Sequence, residues 1–233
     1  MNQSVVEDVL PLSPLQEGLL FHALFDRDKH SPYLAQFSVD LDGPLDSALL
    51  KAAADTVIRR HATLRSGFRY RKTGEPIRVV RRDSPLDWQE IEIGQEGAPE
   101  RIAELTEQDW ARGVDVGGSS LIRFTLVRHT ARHHRLLVTA HHLLLDGWSF
   151  ALLFQELFAV YSRAGGTVGL PPVRPYRDYL AWLAEQDRAG AERHWTAALE
   201  GLAEPTFVAS ADSRVVRRPR RWRCRCRRRR RRC

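Results

Sequence analysis

The first 213 residues contain no cysteine; Cys224, Cys226 and Cys233 all lie at the end of the chain. A disulfide framework or a cysteine-based zinc site within the fold is thereby excluded. No stretch approaches the roughly 18–20 uninterrupted apolar residues that a membrane-spanning helix requires. The opening MNQSVVEDVLPLS lacks a basic region followed by an apolar run, so no secretory leader is visible and a cytoplasmic location is expected. From Arg214 to Cys233 acid and lysine are both missing, while 13 arginines are present. Taking those 13 charges from the formal net charge of +7 leaves −6 on residues 1–213. The basic signal that would suggest an anionic partner therefore belongs to the tail and not to the body.

What remains is ordinary globular material: 43% apolar and 28% charged residues in a chain of 233, enough for a sizeable core. Ser13–Phe25 reads as a helix, with Ser13 as cap, Pro14 in the first turn and Glu17 following. Phe37, Val39 and Leu41 alternate with polar residues at strand period. Leu45–His61 is a strong amphipathic helix. Three strand-like runs follow over 64–93, LRSGFRY, PIRVVR and LDWQEIEI, the first two separated by a Thr73-Gly74-Glu75-Pro76 turn. Ala98–Arg112 reads as a helix, SLIRFTLVRH and HRLLVTAHH as strands, and 147–164 as a helix. A Gly/Pro loop at 165–175 leads to one long helix over about Tyr176–Leu199. The order implies an α/β chain of α+β type, a mixed sheet with flanking helices, and not a doubly wound sheet. Residues 1–209 form the folded body. Residues 210–233 form an Arg-rich tail with no apolar periodicity, expected to be disordered. Its Arg, Cys, Trp and Pro content points to GC-rich DNA read in a shifted frame from about residues 205–215. A nucleic-acid or membrane-binding tail is the alternative, although such tails usually mix lysine with arginine.

The chemistry-bearing candidate is His141-His142-Leu143-Leu144-Leu145-Asp146-Gly147, where a strand should end and a helix begin. Adjacent strand residues face opposite ways, so one histidine should face a cavity and the other should pack. A neutral imidazole in a cleft accepts a proton near neutral pH, as a general base must. Asp146 can brace the turn through backbone or a cation, and Gly147 permits a tight passage into the helix. Two other readings stand beside this one. The pair can be purely structural, or His133, His134, His141 and His142 with Asp146 can ligate a metal. The second needs three or four ligands to converge, which residues of one strand pointing both ways do not favour; no metal is expected.

HHLLLDGWS resembles the HHxxxDG signature of the condensation domains of nonribosomal peptide synthetases, which share the chloramphenicol acetyltransferase-like fold. Three further segments resemble the family in its order: LSPLQEGLLFHAL (12–24), RHATLRSGF (60–68) and YRDYLAWL (176–183). The opening motif and LLLDGWS are most similar to the subclass whose donor ends in a D-residue. The resemblance implies amide formation between aminoacyl or peptidyl thioesters on carrier proteins. The substrates ride on 4'-phosphopantetheine arms, and no cofactor is bound directly. It implies His142 at the attacking amine and His141 supporting the fold. Asp146 is expected in a buried salt bridge with Arg60 or Arg65, with Gly147 and Trp148 shaping the entrance. Implied partners are peptidyl or acyl carrier domains and adjacent synthetase modules, with no specific nucleic acid and no membrane span. The family's fold has two lobes facing across a tunnel, and residues 1–209 correspond to the first, so the chain is read as a truncated domain. An epimerization domain of the same fold and a catalytically silent docking domain are the alternatives.

Overall fold

The computed structural model describes residues 5–25 and 33–202 together with the backbone of 223–226. The apolar-rich run His133–His141 (β7) pairs antiparallel with Leu34–Asp42 (β2) along its whole length, from Leu34 opposite His141 to Asp42 opposite His133. On its other side β7 pairs antiparallel with Ile122–Arg128 (β6), which in turn pairs parallel with Asp87–Glu92 (β5). This mixed sheet places one end of β7 where the histidine pair begins. A separate three-stranded sheet has Pro76–Arg81 (β4) between Val6–Leu10 (β1) and Ser66–Tyr70 (β3), all antiparallel. Sequence reading gave no strand at β1, whose run VEDVL does not alternate cleanly.

Helices cover both faces of the larger sheet. Ser47–Arg60 (α2) starts at Asp46, whose carboxylate accepts from the Leu49 N–H at 2.9 Å. It buries Leu50, Ala53, Ala54, Val57 and Ile58, the i, i+3, i+4, i+7, i+8 stripe of a core-facing helix. Gly147–Ser162 (α4) lies beside it and buries Phe150, Leu153, Leu157 and Val160. These side chains join Val39 and Leu41 of β2, Phe124 and Leu126 of β6, and Leu136 and Val138 of β7 in one core. Ala98–Arg112 (α3) serves the opposite face. Its Asp109 is buried and holds Arg123 of β6 at 2.6 Å, Gln36 of β2 at 2.7 Å and Thr139 of β7. Burial alone would raise the Asp109 pKa, but the bonds from Arg123, Thr139 and Gln36 outweigh it and keep the carboxyl below its usual range.

One expectation is extended and two are corrected. Pro14–Phe25 (α1) is capped at Ser13, with Gln16 completing the cap: the Gln16 N–H donates to Ser13 Oγ at 3.3 Å and the Ser13 N–H to Gln16 Oε1 at 3.2 Å. This is a capping box, which needs its partner three residues after the cap. The single helix over Tyr176–Leu199 is two, Tyr176–Ala184 (α5) and Arg188–Ala198 (α6). Asp187 restarts the chain by accepting from the Gly190 N–H at 2.8 Å. In the tail, Arg223–Cys226 (β8) adds in parallel to the edge of β2, from Ser38 opposite Arg223 to Leu41 opposite Cys226. Ladder bonds are main-chain bonds, so a strand can join an open edge without apolar periodicity. The rest of the tail, and with it the shifted-frame reading, lies outside the described residues. No helix among the described residues is long and apolar enough to cross a membrane.

Candidate functional site

Alternation along β7 decides which way His141 faces. Thr139 meets Gln36 and Asp109 on the α3 side, and His141, two residues on, shares that face. It is 0% exposed. Its Nδ1 accepts from the Leu143 N–H at 3.1 Å, so that nitrogen carries a lone pair and the ring is neutral. Burial, reinforced by the neighbouring His142, pushes its pKa down to about 4.

His142 lies one residue beyond the strand and is half-buried. Its N–H donates to the Tyr33 carbonyl at 2.8 Å, which carries the β2–β7 ladder one step further. Its ring Nδ1 lies 2.9 Å from the Leu145 carbonyl. A carbonyl only accepts, so Nδ1 bears the hydrogen in the neutral ring and Nε2 bears the lone pair. Leu143, Leu144 and Leu145 are all buried and pin the turn to the core. The turn thus leaves one imidazole nitrogen with its lone pair while the main chain is held at both ends.

Asp146 does not pair with either arginine. It is exposed and caps α4, accepting from the Ser149 N–H at 2.8 Å and the Ser149 hydroxyl at 2.6 Å. Those two bonds hold its carboxyl below the usual range. Arg60 instead meets Glu156 at 2.6 Å and donates to the Pro171 carbonyl. Glu156 lies ten residues further along α4 than Asp146, about 15 Å of helical rise away. Arg65 meets Glu7 at 2.7 Å and the Arg81 carbonyl. A short side chain at a helix start is better satisfied by the helix's own N–H groups than by a distant cation. Gly147 opens α4 without a positive φ, and a Cβ there would meet nothing. The turn therefore does not demand glycine, whose small size leaves open space beside the loop. Trp148 is 79% exposed, which rules out packing as its role within the described residues. The four histidines do not converge: His133 pairs with Asp42 at 2.8 Å at the far end of β7, roughly 26 Å from His141 along the strand.

Gln16 and Tyr176 were not singled out from the sequence as site residues. Gln16 Nε2 donates to the Leu143 carbonyl at 2.9 Å, and the Tyr176 hydroxyl donates to Gln16 Oε1 at 3.2 Å. The Tyr176 ring covers the Arg78 guanidinium at 4.5 Å, and Arg78 Nε donates to Ser66 Oγ at 2.8 Å. All four segments that carried the sequence resemblance are thus joined in one relay ending next to His142. The S-x-x-Q spacing signals the cap, but nothing local signals a bond spanning 127 residues.

Comparison with known proteins follows the same lines. The family described as the condensation domain matches residues 6–221. Bacitracin synthase 3 of Bacillus licheniformis is 32% identical over 217 residues, covering 91% of this chain and 3% of its own length. Surfactin synthase subunit 3 of Bacillus subtilis (strain 168) is 33% identical over 209 residues, covering 88% of this chain and 16% of its own. Among solved structures, the first condensation domain of the calcium-dependent antibiotic synthetase, in complex with a substrate analogue, superposes with a TM-score of 0.74 at 22% identity. It covers 86% of this chain and 50% of that one, a likeness of fold. The SgcC5 protein from Streptomyces globisporus gives a TM-score of 0.68 at 26% identity, covering 82% and 46%. The chain spans about half the length of these solved structures and a small fraction of the synthetases.

Proposed function

The chain belongs to the condensation-domain family, and from that premise we propose that it carries the histidine-bearing lobe of a catalyst for amide formation between carrier-bound thioesters. The acceptor's free amine attacks the thioester carbonyl of the donor. The C–N bond forms, the C–S bond breaks, and the pantetheine thiolate leaves. His142 Nε2 takes the proton that the amine sheds and returns it to the departing sulfur. The observation that carries this reading is the 2.9 Å approach of His142 Nδ1 to the Leu145 carbonyl, which leaves the other nitrogen free to act as a base. His141, neutral and enclosed, supports the strand end, and Trp148 and Gly147 border the approach to His142. The phosphopantetheine arms are substrate, and the proposal includes no resident cofactor and no metal. The partners it requires are carrier domains and neighbouring synthetase modules.

The test joins this chain to the second half of a condensation domain and supplies donor- and acceptor-loaded carrier proteins. His142→Ala should slow amide formation by about 100- to 10,000-fold, the usual contribution of a positioned proton-transfer group. An unchanged rate in that variant would overturn the assignment. Solvent deuterium entering the α-carbon of a loaded residue, without amide, would move the reading to epimerization.

A further inference from the structure

One concave site whose lining does not include His142 carries charges that do not balance. A cleft of about 380 Å³ is bounded by β1, by the junction after α2, and by the segment leading into α5. Its lining includes Arg60, Arg65, Arg78, Arg174 and Arg177. Three of these have carboxylate partners: Arg60 with Glu156 at 2.6 Å, Arg65 with Glu7 at 2.7 Å and Arg177 with Asp8 at 2.6 Å. Arg78 and Arg174 have none among the described residues.

Arg78 is the more informative of the two. It is fully buried at the base of the cleft, with the Tyr176 and Phe68 rings at 4.5 and 5.7 Å from its guanidinium. Nε and one terminal nitrogen are bonded to Ser66 Oγ and the Thr63 carbonyl, while Nη1 has no partner. Burial lowers its pKa to about 10, still charged at neutral pH. A buried cation is normally paired. Water could satisfy the spare N–H, but it would leave the charge uncompensated. Arg174, by contrast, is exposed on a proline-bounded stretch, Pro171-Pro172-Val173-Arg174-Pro175, which holds its backbone stiff.

We propose that this cleft binds a small phosphate-bearing molecule. Arg174 and Arg177 grip the phosphate oxygens at the rim, Arg65 contributes from the wall, and Arg78 supplies charge from beneath the floor. A phosphate dianion matches the two guanidinium groups in excess, and its oxygens suit several planar donor forks at once. The volume falls in the range of small-molecule sites and leaves room for more than the phosphate itself.

Inorganic phosphate is the probe, titrated calorimetrically into the full chain at mildly alkaline pH against potassium chloride of equal ionic strength. The arginine-rich tail also attracts anions, so the informative quantity is the difference between variants that share it. Arg174→Ala changes an exposed side chain that has no partner among the described residues and leaves the fold intact. It should weaken saturable phosphate binding about tenfold, as expected for loss of a charged hydrogen bond. Arg71→Ala, which removes an exposed arginine paired with Glu75 away from the cleft, should not alter it. Equal affinity in the native chain and Arg174→Ala would assign the binding to the tail and overturn the proposal. So would equal losses in both variants, or heats no larger than those from chloride.

Discussion

A carbonyl cannot donate and a backbone N–H cannot accept, and those two restrictions give adjacent histidines opposite tautomers. Nδ1 of His141 faces an N–H, and Nδ1 of His142 faces a carbonyl. His141 also carries a pH dependence. Its folded pKa is lowered by burial to about 4 from an ordinary 6.5. Between those values the unfolded chain binds a proton that the folded chain refuses. Stability therefore falls as pH drops from about 6.5 to about 4, by about 3 kcal/mol, and levels off below. His134, also lowered by burial, acts in the same direction from the same upper limit. His141→Asn retains an acceptor for the Leu143 N–H and should flatten the fall in melting temperature over this window. An unchanged slope would mean that His141 is not the group refusing the proton. Asp146 gives a contrasting prediction. As a cap and not a buried ion pair, its replacement by alanine should cost about 1 kcal/mol instead of the roughly 3–5 kcal/mol of a broken buried pair. Urea unfolding separates the two, and soluble folded Asp146→Ala protein is the expected result.

Among elements, the link with the greatest reach is the one from α1 to the histidine turn. Gln16 closes its own helix cap, bonds the Leu143 carbonyl and receives the Tyr176 hydroxyl. Gln16→Ala strands a buried carbonyl one residue from His142, which should cost about 1–3 kcal/mol. Tyr176→Phe should cost less, and the double variant should cost less than the sum, since both act through one shared side chain. Strict additivity in denaturant unfolding would show that the relay is not a unit. The same elements show what could be read in advance. The core helices α2 and α4 and the strands β6 and β7 were legible because their apolar spacing is local. The break between α5 and α6 was not, because Asp187 caps only by adopting a non-helical backbone within a run of good helix formers. The Asp146 pairing differs from expectation because the resemblance supplies a motif and two arginines, and nothing in the spacing shows that the end of α2 lies beside Glu156, well along α4 from Asp146. The strand period predicts different surroundings for His141 and His142; His141 is enclosed and His142, in the turn beyond the strand, is half-buried.

For the whole molecule, the deciding feature is apolar surface left exposed among the described residues. On α4 the side opposite the core carries Trp148 and Leu152, one turn apart and both exposed. None of the α6 residues is buried, and Trp195, Leu199 and Leu202 continue as an exposed stripe past its end. Contiguous exposed apolar surface usually marks a place where something docks. The chain spans about half the length of the solved structures it resembles, and the proposed reaction needs two carrier arms aligned. Holding two reactants in attack geometry contributes on the order of 7–11 kcal/mol at best, more than the proton transfer that His142 can supply alone. The 233-residue chain by itself should therefore form no amide from loaded carrier proteins, and it should bind an apolar dye and self-associate. Supplied with the second half of a condensation domain, it should lose the dye, show a blue shift in tryptophan emission and gain turnover that depends on His142. Amide formation by the chain alone would show that the alignment resides within these residues, and dye binding unaffected by the added half would show that Trp148 and the α6 stripe are not its docking surface.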